Sequence, residues 1–255
     1  DESAKIHTSM EELAFLNALK KVALTLVERA HMCSRKALKL SETVDNPEYK
    51  ENLKLLSDTL MRVPENKPES FYEAVLTIYF CFAADPDSVG TLDRYLNSFY
   101  ENDIAKGILT RDEAKEYLQE LFLMLQSATH HESPNFTRGG ESHFCVGGYL
   151  PNGEDGFCEL SKLILESLTE LPTWIPQVTL RWTKKTPTEV LRYMLDCERK
   201  DANKRIAFVN DEPRLKGLME HTGLSYKEAV NYTMMGCNEL ALPGGMVFGF
   251  DPMNI

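Results

Sequence analysis

The stretch IAFVNDEPRLKGLMEHTGLSYKEAVNYTMMGC, residues 206–237, decides the reading of the fold. It opens on one short apolar run, Ile206–Val209, and closes on another, Tyr232–Met235. Both have strand length and are bounded by turn-forming residues. Between them Ser225 and Glu228 make a capping-box pattern, in which each side chain satisfies a free amide of a helix's first turn. Two strands joined through a helix cannot form a hairpin, so this segment predicts parallel pairing with a helical crossover. The same order repeats upstream. Val178–Trp182 reads as a strand, followed by Thr186–Glu189 as a capping box with Pro187 at the first helical position, and Phe144–Gly148 reads as the strand before it. From residue 144 onward the prediction is strand, helix, strand, helix, strand, helix, strand, an α/β arrangement.

The first 130 residues read differently. Leu13, Leu16, Leu19, Val22 and Leu26 recur at three- and four-residue steps within a helix over 10–42, and a second helix covers about 48–63. Pro64 and Pro68 break the chain after it, because proline cannot donate to a continuing helix. Phe71–Ala84 is nearly all apolar and has the length of a buried helix, 92–106 reads as another, and Thr110 with Glu113 caps a helix running to about Ser127. The fold class is therefore α/β: a helical N-terminal layer over 1–130 packed on part of an α/β barrel or sheet, whose strands and crossover helices occupy 131–255. The chain opens without Met and stops just after a glycine- and proline-rich segment, which reads as a fragment of a longer polypeptide.

Bulk properties narrow the function. A net charge of -11, from 28 Lys+Arg against 39 Asp+Glu, disfavours nucleic acid and anionic membranes as partners. No apolar run approaches the ~20 residues that span a bilayer. With no basic-then-apolar leader, the expected location is the cytoplasm. The six cysteines, Cys33, Cys81, Cys145, Cys158, Cys197 and Cys237, form no CxxC pair, so neither a zinc site nor a thioredoxin-type motif is indicated. The first five read as small structural hydrophobes. His130-His131-Glu132 does not read as a metal site, because adjacent histidines point apart on a strand or a helix. Trp174 and Trp182 read as core, and Asp93 with Arg94 as a buried structural pair.

In parallel α/β folds chemistry collects in the loops after the carboxyl ends of strands. Four such loops begin at Gly147, Thr183, Asn210 and Gly236, and the last, Met235-Gly236-Cys237-Asn238-Glu239-Leu240-Ala241-Leu242-Pro243-Gly244-Gly245, is the most informative. A lone cysteine in a turn is ordinarily structural. A Cys–His nucleophile is the usual alternative, with His143 and His221 as candidates only if the fold brings them near. Glu239 stands two residues from Cys237, and a carboxylate raises a thiol pKa, which works against a nucleophilic thiolate. A neutral thiol beside a carboxylate suits hydrogen-atom transfer, with the carboxylate accepting a proton from the acidified radical.

This loop resembles the cysteine loop of the glycyl radical enzymes, the pyruvate formate-lyase-like family, whose common form is Gly-Cys-Val-Glu-Pro followed by Pro-Gly. Other landmarks follow in the family's order over residues 60–255. Arg62-Val63-Pro64 through Pro68, with Phe71 and Glu73-Ala74, is similar to its helix entry. Gly90-Thr91-Leu92-Asp93-Arg94-Tyr95-Leu96, Gly107 through Glu113, Gly147-Gly148 with Gly153, and Asn210-Asp211-Glu212 match further motifs. The resemblance implies a ten-stranded barrel of two half-barrels around the active site. It implies a radical resting on a backbone glycine in a C-terminal Arg-Val-x-Gly-Tyr loop, installed by a separate S-adenosylmethionine and iron–sulfur activating enzyme, with no cofactor or metal bound by this chain. It implies a small-molecule substrate and a homodimer when complete. The sequence contains no such glycine loop, so the C-terminal glycyl radical domain is expected to be absent.

Carried over residue by residue, the resemblance makes Cys237 the thiyl radical and Glu239 the general base. Pyruvate formate-lyase has two adjacent cysteines here; Gly236 precedes Cys237, which favours the dehydratase, decarboxylase and lyase branches over formate acetyltransferase-type acyl transfer. The remaining alternative is a non-catalytic family relative. Asp251 lies where diol and glycerol dehydratases place a substrate-binding Asp, Phe144 where relatives place a pocket aromatic, and Ser88 on a family serine. Asn238 and Leu240 depart from the usual Val and Pro, and Asp85-Pro86-Asp87-Ser88-Val89 replaces the dehydratases' His-Ser pair.

Overall fold

The computed structural model describes residues 9–83, 88–128, 142–236 and 238–243. Contacts divide the chain into two compact units, Asp1–Glu69 and Ser70–Ile255.

In the first unit, α1 (Met10–Ser41) starts at the Ser9–Glu12 capping box, and α2 (Pro47–Leu60) starts at Asn46, whose side chain accepts from the Tyr49 amide, with Pro47 at the first position. The buried face of α1 is Ala30, Ser34, Ala37 and Ser41. Such small residues let α2 approach closely, and Ser34 Oγ donates to Ser57 O at 2.7 Å across the buried seam.

The second unit runs α3 (Phe71–Phe82), β1 (Ser88–Thr91), α4 (Leu92–Ala105), α5 (Arg111–Ala128), β2 (His143–Gly147), α6 (Glu159–Thr169), β3 (Val178–Trp182), α7 (Thr188–Lys200), β4 (Ile206–Asn210), α8 (Asp211–Thr222), α9 (Tyr226–Ala229), β5 (Thr233–Met235) and β6 (Glu239–Ala241). The strands β1-β2-β3-β4 form one sheet in that order, every pair parallel. The predicted alternation and its parallel pairing hold for β2, β3 and β4. The Thr110–Glu113 and Ser225–Glu228 capping boxes form as read.

Strand alternation gives the sheet two different faces. Phe144, Val146, Val178, Leu180 and Ile206 turn into the larger core, together with apolar residues of α3 to α7. Cys145 and Val209 turn to the opposite face, where Leu215, Val230, Tyr232 and Met234 complete a smaller core. His143, Thr179 and Arg181 alternate onto this second face, and all three are buried.

Several expectations are corrected. Tyr232–Met235 is not a further parallel strand: β5 pairs antiparallel with β6 in a separate two-stranded sheet. The guanidiniums of half-buried Arg94 and buried Arg181 bind the backbone carbonyls of Val230 and Tyr232 and hold this segment across the sheet face, away from the β4 edge. The first 130 residues are not all helical, since β1 lies among them; four residues are too few for a periodic signal. Thr186 does not cap α7. Pro187 takes the cap position, and Thr186 Oγ1 binds Asp155 and accepts from Thr183 N. Trp174 is 64% exposed rather than core. Asp93 and Arg94 are structural as read, joined by Arg94 N donating to Asp93 Oδ1 at 2.9 Å, and each also binds elsewhere. Asp93 accepts from Gly147 N and Ser161 Oγ, while Arg94 donates to Val230 O and Tyr149 O. Of the cysteines read as structural, Cys145 and Cys197 are buried, whereas Cys33 and Cys81 are exposed.

Candidate active site

The β5–β6 hairpin carries the cysteine loop. Cys237 and Asp251 lie outside the described residues, as does His130-His131-Glu132; Gly236 and Asn238, the chain neighbours of Cys237, are described. Three contacts attach the hairpin to the sheet. Met234 N donates to Cys145 Sγ at 3.1 Å, Ser88 Oγ bridges His143 O at 2.9 Å and Met234 O at 3.2 Å, and His143 Nδ1 stands 3.1 Å from Gly236 O. On the other side of the turn, Asn238 Oδ1 lies 2.6 Å from Thr179 Oγ1, which itself lies 2.7 Å from His143 Nε2.

Glu239 opens β6, and its Oε2 is buried with no hydrogen-bond partner among the described residues. A buried, unpartnered carboxylate oxygen is costly unless a ligand or a proton serves it. It sits against Gly236: a Cβ there would come within 2.7 Å of Oε2, and Gly236 has φ +51°. Any side chain before Cys237 would therefore push on the carboxylate. Burial holds the His143 imidazole down to about 4, against the opposing pull of Gly236 O and the Glu239 charge. The ring is neutral near pH 7.

The other site expectations divide. Ser88 is at the hairpin, but its one proton is shared between two backbone carbonyls and its oxygen accepts from Gly90 N at 3.3 Å. Phe144 is fully buried and stacks on Phe122 at 5.5 Å, in the helix-side core. The β2 residues that face the hairpin are its neighbours His143 and Cys145, because successive side chains of a strand point to opposite faces. His221 is exposed in the last turn of α8.

The family model described as pyruvate formate lyase-like matches residues 1–252. The chain belongs to the pyruvate formate lyase-like family. It is 30% identical to trans-4-hydroxy-L-proline dehydratase of Clostridioides difficile over 94% of this chain and 33% of that protein. It is 29% identical to isethionate sulfite-lyase of Nitratidesulfovibrio vulgaris over 92% of this chain and 30% of that protein. Among solved structures, a glycyl radical enzyme from Archaeoglobus fulgidus superposes with a TM-score of 0.75 at 27% identity, covering 85% of this chain and 29% of that one. The chain thus spans about a third of the length of the curated relatives it matches.

Within the pyruvate formate lyase-like frame, the other motifs act as joints. Asp93 ties α4 to the amide of Gly147 and to Ser161 on α6 at 2.7 and 2.6 Å. In Asn210-Asp211-Glu212, Asn210 caps α8, Asp211 pairs with Arg181, and Glu212 accepts from Tyr149 Oη at 2.7 Å and Lys184 N at 2.8 Å. Gly148 has φ +80°, and a Cβ there would stand 2.6 Å from Arg181 Nε, so this glycine makes room for that guanidinium. Sequence reasoning missed Thr179 and Arg181. Their signal was the alternation Val178-Thr179-Leu180-Arg181, which puts a hydroxyl and a charge on one face of a buried strand. No helix among the described residues is long and apolar enough to cross a membrane, and none of their His, Cys, Asp and Glu side chains group to hold a metal.

Proposed function

We propose that this chain supplies the thiol loop of a glycyl radical lyase, with Cys237 as the residue that becomes the thiyl radical and Glu239 as the general base. The observation that carries the reading is Oε2 of Glu239, buried without a hydrogen-bond partner among the described residues and two residues from Cys237. A carboxylate oxygen so placed can serve as a general base. The relatives support the reaction class, since they are named as dehydratases, sulfite-lyases and decarboxylases. The ten-stranded barrel of the family is part of the same proposal, with the four parallel strands as a portion of its wall.

In this scheme the sulfur of Cys237, as a thiyl radical, takes a hydrogen atom from a substrate C–H bond, leaving S–H and a carbon radical. Glu239 accepts the proton that the acidified radical loses as the adjacent C–O, C–C, C–N or C–S bond breaks. The product radical recovers its hydrogen atom from Cys237, which restores the thiyl. A glycyl radical, installed by a separate activating enzyme, supplies the initial oxidising equivalent. The substrate is a small polar molecule, with Asp251 proposed to bind it and Ser88 proposed as a flanking residue; Phe144, on the opposite face of β2, is left to the core. Gly236 disfavours the acyl-transfer chemistry of an adjacent cysteine pair, because the position before Cys237 carries no second thiol. The test uses the complete, activated enzyme. Cys237→Ser abolishes turnover while the glycine radical's electron paramagnetic resonance signal persists, because a hydroxyl O–H bond is too strong for that radical to break. Turnover of a few per cent in Cys237→Ser overturns the assignment.

A further inference from the structure

The residues on both sides of Cys237 are tied to the sheet by one chain of contacts. Gly236 O lies 3.1 Å from His143 Nδ1, His143 Nε2 lies 2.7 Å from Thr179 Oγ1, and Thr179 Oγ1 lies 2.6 Å from the Asn238 amide oxygen. His143 is on β2, Thr179 on β3, and both are fully buried. A carbonyl only accepts, so the contact to Gly236 O requires a proton on Nδ1. The hydroxyl of Thr179 has one proton to give. Two arrangements satisfy the chain. In one, the ring is an imidazolium, Nε2–H donates to Thr179, and Thr179 donates to Asn238 Oδ1. In the other, the ring is neutral, Thr179 donates to Nε2, and the Asn238 amide is turned so that its Nδ2 donates to Thr179.

A buried charge is held only when it is paired and hydrogen-bonded. Glu239, the carboxylate that acts on this ring, makes no hydrogen bond to it. The neutral arrangement is the one that burial selects.

We propose that His143, as its Nδ1–H tautomer, and Thr179 are positioning residues that clamp the residue before and the residue after Cys237 to adjacent strands of the sheet. The proposal rests on the reading of Cys237 as the reacting thiol and adds to it how the turn is set. A reacting sulfur must be held within fractions of an ångström of the hydrogen it takes. A donor on β2, His143 Nδ1, and an acceptor on β3, Thr179 Oγ1, supply that restraint.

Three measurements test it. In protein labelled with ¹⁵N-histidine, the His143 ring, assigned by its loss in His143→Gln, should carry its proton on Nδ1 with Nε2 unprotonated. The amide of Asn238 donates to Met235 O at 3.0 Å. Its hydrogen exchange should speed up roughly tenfold in Thr179→Val, the factor expected for losing one ordinary hydrogen bond, and should return toward wild type in Thr179→Ser. In the complete, activated enzyme Thr179→Val should lower kcat with KM unchanged, and Thr179→Ser should restore it. A ring protonated at Nε2, or unchanged exchange at Asn238 in Thr179→Val, overturns the clamp whatever the turnover. Faster exchange with undiminished kcat leaves the clamp standing and overturns the reading of this turn as the reacting loop.

Discussion

Arg181 and Asp211 form a two-point ion pair with no solvent exposure: Nε donates to Oδ1 at 3.0 Å and Nη2 to Oδ2 at 2.8 Å. The pair joins β3 to the first residue of α8. The same guanidinium donates to Tyr232 O at 2.7 Å and lies 3.8 Å from the centre of the Tyr232 ring, while Tyr232 Oη donates to Asp211 Oδ1 at 2.6 Å. The segment that leads into the cysteine hairpin is therefore held to the sheet by one buried charge and its counter-ion.

Removing either partner leaves the other buried and unpaired. Arg181→Met should destabilise the second unit by ~3–5 kcal/mol, read as a lower midpoint in urea unfolding. Arg181→Lys should recover little, because an ammonium cannot reproduce the planar fork. The double variant Arg181→Met/Asp211→Leu should be less destabilised than Arg181→Met alone. Additive losses would show that the two side chains do not act as a pair.

Position 236 accepts no side chain without disturbing Glu239. In Gly236→Ala the new Cβ meets Glu239 Oε2 at 2.7 Å, on a backbone with φ +51°. The left-handed conformation alone costs an L-residue ~1–2 kcal/mol. The expected outcome is a lower melting temperature together with a loss of turnover in the activated enzyme. Wild-type activity in Gly236→Ala would remove the steric coupling between the two positions.

Asn238 has φ +78°, a conformation that asparagine tolerates and valine does not. The resemblance pairs this position with a family valine, so the backbone gives the departure a physical reason. Asn238→Val should destabilise the protein by ~1–3 kcal/mol, combining backbone strain with the lost contact to Thr179. Asn238→Gly keeps the conformation and removes only the contact, so it should cost less. Equal melting temperatures for wild type and Asn238→Val would contradict the left-handed turn.

The buried His143 predicts an acid-sensitive stability. Its imidazole is held down to about 4 from its ordinary 6.5 by burial, with Gly236 O and Glu239 opposing. Between those two values the unfolded chain binds a proton that the folded chain refuses, so stability falls as pH drops from 6.5 to about 4 and is unaffected by this group above 6.5. The effect of this one group amounts to about 3 kcal/mol at most. Denaturant unfolding at several pH values should show a shallower loss over that window in His143→Gln than in wild type. An identical slope would place the acid sensitivity elsewhere.

Glu239→Gln separates the two halves of the proposed chemistry. An amide cannot accept the proton, so elimination should slow by ~10²–10⁴-fold, while hydrogen exchange between substrate and Cys237 continues. Solvent deuterium entering recovered substrate would report that exchange. Full elimination activity in Glu239→Gln would move the base to another residue, with Asp251 the next candidate.

Much of the fold was legible because its signals are local. The strands β2, β3 and β4 announce themselves as apolar runs, and the Thr110–Glu113 and Ser225–Glu228 boxes mark helix starts within four residues of sequence. Cys237 and Glu239 stood out because their spacing is short. Phe144 and His143 were harder to separate: adjacent residues of one strand face opposite sides, and which side holds the helices is not written in the strand. Thr186 and Pro187 show the same limit at a helix start, where Asp155, thirty-one residues away, takes the hydroxyl that the local pattern offers to the helix.

Sequence alone determined the α/β class and the parallel pairing of the central strands, because periodicity and capping act over a few residues, and its motifs carried the resemblance to the pyruvate formate lyase-like family. The tertiary structure alone decided that residues 233–241 form a hairpin instead of another parallel strand, that Arg181 reaches Asp211 and Tyr232, and that His143 and Thr179 meet at the turn around Cys237. The side-chain contacts among these join residues 30 to 93 positions apart. They exist because a buried charge, a buried imidazole and unpaired carbonyls must find partners wherever the packed chain brings them.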